Sequence, residues 1–98
     1  MTSAATPSQE LDLMFTATME RNESVGGWTV VVMPDSGNLL GTRKPVKVGG
    51  TIDGHPFAAT MLPLGDGTHL IPVKAALRKT IGKQAGAEIT IRLTERFS

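Results

Sequence analysis

The chain has 98 residues, ten Lys and Arg against nine Asp and Glu, and no cysteine. A chain of this length folds as one domain that hides roughly two-thirds of its unfolded surface, enough for a modest core without staples. The formal net charge of +1 excludes a global attraction to nucleic acid or anionic lipid; the missing cysteine excludes disulfides, a thiolate zinc site and a cysteine nucleophile, and suits a reducing cytoplasm.

The opening MTSAATPSQE has neither a cationic start nor an apolar run, so neither a signal peptide nor a membrane anchor is expected. Residues 1–9 read as a loose tail ahead of a single β-barrel domain over residues 10–98. Leu11, Leu13, Phe15, Ala17 and Met19 alternate with Asp12, Met14, Thr16, Thr18 and Glu20, the period of two that marks a half-buried strand. Residues 22–27 carry turn chemistry. Trp28–Met33 is β-branched and nearly continuous, as in a strand covered on both faces, and Pro34 ends it. Residues 35–41 allow one helical turn, with Leu39 and Leu40 expected to face inward and Gly37 keeping the helix short. Val46–Ile52 resumes strand, and Gly49-Gly50 within it predicts a bulge or a close backbone approach. Asp53-Gly54 between two extended runs predicts a type I′ hairpin, because both central residues of that turn need positive φ. Residues 56–64 form the fourth strand, Gly65-Asp66-Gly67 turns the chain, and residues 68–71 form the fifth. Val73, Leu77, Thr80 and Ile81 share one helical face, predicting a helix that docks by its apolar side before Gly82 ends it. Ile89, Ile91 and Leu93 then alternate with Glu88, Thr90, Arg92 and Thr94 in the sixth strand.

One pattern occurs twice: a β-rich run ending in proline, a short helix-compatible stretch closed by glycine, and a second strand. It reads WTVVVMPDSGNLLGTRKPVKVGGTI around Pro34 and GTHLIPVKAALRKTIGKQAGAEITIRL around Pro72. Six strands in so short a chain hide their edges best by closure. The expectation is a mainly β fold, a six-stranded split pseudobarrel with one or two short helices and an internal pseudo-two-fold axis relating the two copies.

The second copy resembles the half-barrel of AbrB-type swapped-hairpin transcription factors, through "HLIPVKAALRKTIGKQAGAEITIRL". A longer match, from Leu11 to Glu95, is to a bacterial family known only as a domain of unknown function, small barrels often found beside a YdeI/OmpD-associated segment. It is carried by Phe15, Trp28–Met33 with Pro34, Gly41-Thr42-Arg43, "VGGTIDGHPF" (48–57), "LPLGDGTHLIPV" (62–73) and "ALRKTIGKQAG" (76–86). The resemblance implies an AbrB-like split barrel with both halves in one chain and brings no activity or site residue. Where that family usually has Gly-Asp after the second helix, this chain has Gly86-Ala87, so any role of that carboxylate is absent.

Two constellations invite a chemical reading. Asp53 and His55, with Asp66 and His69, place two carboxylates and two imidazoles beside successive turns, candidates for a metal or an acid/base pair if the turns converge. Consecutive turns of an antiparallel meander lie at opposite ends of the intervening strand, roughly 30 Å apart for nine residues, and Asp-Gly is favoured in turns for its own sake; no metal is therefore expected. The second constellation is cationic: Lys74, Arg78, Lys79 and Lys83 in the second copy, and Arg43, Lys44 and Lys47 at the matching place in the first. On one surface they would contact phosphates; the plainer account is a solvated face, with Arg78 and Lys79 answering the carbonyls of the last helical turn. Trp28 is expected to pack in the core or at a barrel mouth. Aromatics are scarce and tyrosine is missing, which weakens base stacking as a theme. No phosphate loop, nucleophile elbow or His-Glu-x-x-His motif occurs, and no catalytic residue or cofactor is expected. The sequence therefore points to a cytoplasmic, noncatalytic binding or interaction module of unassigned role, with a protein or a fused domain as the candidate partner and no membrane expected. The alternative is an AbrB-like DNA- or RNA-binding regulator using the seven cations.

Overall fold

The computed structural model describes residues 9–23 and 26–97. The loose tail expected over residues 1–9 lies, but for Gln9, outside the described residues. Among those described there are seven strands and two short helices. The strands are β1 Gln9–Thr18, β2 Glu20–Asn22, β3 Trp28–Met33, β4 Val46–Ile52, β5 His55–Pro63, β6 His69–Pro72 and β7 Glu88–Arg96; the helices are α1 Ser36–Leu40 and α2 Ala75–Ile81. The strands form one antiparallel sheet in the order β1-β7-β4-β5-β6-β3-β2, curled into a half-barrel.

The curl has a visible cause. β1 and β2 stand at opposite ends of the strand order, yet only Met19 separates them in the chain. The expected first strand therefore pairs with β7 along its first part and with β3 along its last, which accounts for seven strands where six were expected. Met19 is fully buried, its N–H donates to the Ala87 carbonyl at 2.9 Å, and its own carbonyl accepts from Gly86 at 2.7 Å. One pinned residue thus hands the strand from one neighbour to the next.

The repeat in the sequence is a repeat in the pairing. β3 pairs with β6, β4 pairs with β7, and β5 bridges β4 and β6 as β1 and β2 together bridge β7 and β3. Each half is a hairpin, a short helix and a returning strand. Pro72 lies opposite Val30, and extending that register by one residue beyond Met33 places Pro34 opposite Thr68, the counterpart of Val30. Both helices end on a left-handed glycine, Gly41 and Gly82, where a side chain would be strained.

The inward residues of the alternating strands make the core, with Met61, Ile71, Ile89, Ile91 and Leu93 among those almost wholly buried; each contributes about 1.5–3 kcal/mol of transfer free energy. Asp53 and Gly54 both have positive φ, 49° and 84°, as the type I′ turn requires. The expected irregularity at Gly49-Gly50 is a register shift against β7, and a Cβ on Gly50 would meet the Arg92 carbonyl oxygen at 1.8 Å. The helices depart from expectation. Leu40 joins the core, but Leu39 is 51% exposed: neighbours on a helix point about 100° apart, so a helix of one turn cannot bury both. In α2, Leu77 and Ile81 pack only partly against the core and Thr80 is exposed. Among the described residues neither helix is long and apolar enough to cross a membrane.

Candidate functional site

The two turns carrying carboxylates and imidazoles do different things and lie at the two ends of β5. At the β4–β5 hairpin, Asp53 accepts the Thr90 amide at 2.9 Å and pairs with Lys83 Nζ at 2.7 Å. The Lys83 hydrogen bond, then the Thr90 amide, hold its carboxyl below the usual carboxylate range. His55 beside it is exposed. At the β5–β6 turn, Asp66 accepts both the amide and the hydroxyl of Thr68, which lower its pKa in the same way. His69 is fully buried. Its Nε2–H donates to the Lys44 carbonyl at 2.9 Å, so Nδ1 is left to accept the hydroxyl of buried Ser36 at 2.8 Å. His69 therefore ties α1 and the segment after it to β6. Among the described residues no group of three or more His, Asp or Glu side chains stands close enough to hold a metal ion.

The seven cations are divided among several places. Lys83 is engaged by Asp53 and the Glu88 carbonyl. Arg43 lies in a polar cleft with Asp35, Asn38 and Asp66. Lys44 and Lys79 are exposed. Lys47, Lys74 and Arg78 meet at the rim of a second, larger concavity.

That concavity follows from how β5 is paired. Along residues 55–61 it is laddered to β4, but it meets β6 only at Leu62 and Pro63. The sheet splits along the remaining edge, and α2 stands over the gap, leaving a groove of about 880 Å³. Ala58, Thr60 and Leu62 line it from β5, Pro72 and Leu77 from the α2 side. Three of the chain's four aromatic side chains converge there: Trp28, 49% exposed, with Phe57 and Phe97. Phe97 is set by its N–H donating to the Lys47 carbonyl at 2.8 Å, and its ring lies where a Cβ on Gly49 would come within 3.1 Å. Arg78 extends back along α2, its Nε–H donating to the Val73 carbonyl at 3.2 Å and a terminal nitrogen donating to Gln84 at 3.3 Å.

Among the described residues no carboxylate or imidazole side chain lines this groove. An apolar, aromatic trough with ammonium and guanidinium groups at the rim suits a ligand that has an apolar body and a negative charge. Trp28 and the three rim cations stood out in the sequence; Phe57 and Phe97 did not, because nothing local marks a strand phenylalanine or a terminal one as neighbours of Trp28.

No curated protein matches the chain. The family model described as "Domain of unknown function (DUF1905)" matches residues 15–93, most of the described fold, and the chain belongs to that family.

Proposed function

We propose that this domain is a noncatalytic binding module, located in the cytoplasm, whose working surface is the groove between β5 and α2 and whose ligand combines an apolar body with a negative charge. The observation that carries this reading is the convergence of Trp28, Phe57 and Phe97 with Lys47, Lys74 and Arg78 in one trough that no acidic side chain of the described residues lines. The sole tryptophan makes the test direct: titration with an anionic naphthalenesulfonate changes Trp28 emission saturably, and Lys74→Glu with Arg78→Glu weakens that binding at least tenfold. Emission that never saturates, or binding untouched by the double charge reversal, overturns the reading.

The alternative, a DNA- or RNA-binding regulator related to AbrB-type factors, draws support from the same pairing of aromatics with cations, the combination that holds single-stranded nucleic acid. It would use Arg43, Lys44, Lys47, Lys74, Arg78, Lys79 and Lys83 on phosphates. Log affinity for an oligonucleotide then falls linearly with log salt, with a slope that shrinks as these residues are neutralised. A flat salt response, or no binding at low ionic strength, rejects it.

A further inference from the structure

We infer that the occupant of the groove is an extended, apolar and acidic segment of a partner protein, which adds itself as a strand along the open edge of β5. This rests on the groove being the working surface and goes on to say what enters it.

The pairing register shows which backbone groups face the groove. The Asp53-Gly54 turn has two residues, so Ile52 and His55 flanking it form a hydrogen-bonded pair, and the antiparallel alternation then directs the N–H and C=O of residues 57, 59 and 61 toward β4. At the other end of β5 the Leu64 N–H donates to the Thr68 carbonyl at 2.9 Å, with Leu62 opposite Leu70, so even-numbered residues face the β6 side. Both ends give the same parity. Ala58 and Thr60 therefore aim N–H and C=O, and Pro56 its C=O, toward the side that no strand of the described residues covers, where the groove opens. Proline at position 56 agrees with this, since its missing N–H falls on the unpaired side, the one place a strand tolerates it.

A naphthalene-sized anion would fill the aromatic trough and leave this row of donors and acceptors to water. An added strand satisfies them, which is the physics of β-augmentation: main-chain bonds supply affinity and alternate side chains supply selectivity. At about 3.3 Å per residue, positions 56–60 accommodate roughly five residues of partner. The selectivity is written in charge. Lys74 and Arg78 line a trough with no carboxylate side chain among the described residues, so an acidic segment is complementary, whereas a second copy of this domain paired edge to edge would bring its own cations against them.

The test uses the whole chain and a capped heptapeptide alternating aspartate with valine and leucine, followed by Trp28 emission and by hydrogen exchange of the Ala58 and Thr60 amides. Saturable binding that protects both amides is expected. An otherwise identical peptide, N-methylated at the alternate amides that would pair with β5, binds about tenfold or more weakly, since its side chains are unchanged and only main-chain donors are lost. Ala58→Pro, which removes one outward N–H and leaves the β4 ladder intact, weakens the parent peptide by a similar factor; should that variant misfold, the N-methylated peptide carries the test alone. Equal binding of both peptides, or no protection at Ala58 and Thr60, overturns the strand inference. If the heptapeptide fails while the naphthalenesulfonate binds, only this inference falls; if both fail, the groove reading falls with it. A concentration-dependent dimer of the unliganded chain that Ala58→Pro abolishes overturns the inference in favour of a second copy.

Discussion

The two halves of the domain share a topology and differ in what their helices do. Aligning Pro34 with Pro72 puts Asp66 where the other half has Trp28, and the polar cleft around Asp35, Asn38, Arg43 and Asp66 where the other half has the aromatic groove. In the first half, α1 is five residues long and is drawn tightly onto the β5–β6 turn. The Gly37 N–H donates to the Gly67 carbonyl at 2.8 Å, and Ser36, His69 and the Lys44 carbonyl form a buried staple. In the second half, the carbonyl of Thr29, the counterpart of Gly67, accepts instead from the Val73 N–H at 2.9 Å, two residues earlier than the Gly37 donor; the position matching His69 is Val31, and α2, seven residues long, buries none of its residues fully. A polar staple closes one side; without it, the other side stays open.

The staple can be broken directly. His69→Ala leaves the Ser36 hydroxyl and the Lys44 carbonyl without their partner and hollows a buried site, for an expected loss of about 3 kcal/mol in urea unfolding. A loss below about 1 kcal/mol would mean that something else closes this half. Gly37→Ala probes the same closure sterically, because the new Cβ would meet the Gly67 carbonyl oxygen at 2.7 Å. Alanine is the better helix former by about 1 kcal/mol, so a net loss of about 1–2 kcal/mol shows that the close approach outweighs propensity, while a gain shows that α1 is not pressed against the turn.

Smaller effects separate the turns from the clefts. Asp53→Asn keeps a residue suited to the left-handed turn position and to accepting the Thr90 amide but loses the Lys83 ion pair, for an expected few tenths of a kcal/mol in thermal melts. Because the folded-state pKa values of Asp53 and Asp66 are lowered, both groups contribute stability above the ordinary carboxylate range, and this is lost as pH falls through their folded values. Melts taken downward from pH 6 should therefore show destabilisation setting in below about pH 4, reduced in Asp53→Asn and Asp66→Asn; a wild-type curve identical to the double variant's would contradict both assignments. The smallest stability effect belongs to the open side. Lys74→Glu, at an exposed position, changes stability by about 0.5 kcal/mol or less while weakening anion binding, the reverse of what His69→Ala does.

Much of this was legible in advance. Asp53-Gly54 announced its hairpin, Gly49-Gly50 its register shift, and the alternation around Ile89, Ile91 and Leu93 its buried face. Met19 was placed on the inward face, but the change of partner there was not visible, because alternation reports which face a residue takes and not which strand lies beside it. Leu39 was misplaced because two adjacent leucines leave open which one a single helical turn turns inward. The groove was half legible: its cations and Trp28 stood out, whereas Phe57, Phe97 and the open edge of β5 did not.

By itself, the sequence determined the periodicities, the turns and the doubled hairpin–helix–strand plan, since these depend on φ preferences and side-chain alternation over a few neighbouring residues. Only the tertiary structure decided which half closes and which stays open. That outcome depends on residues distant in the chain, Ser36 with His69 and Trp28 with Phe57 and Phe97, brought together by strand register and by how close each helix lies to the sheet.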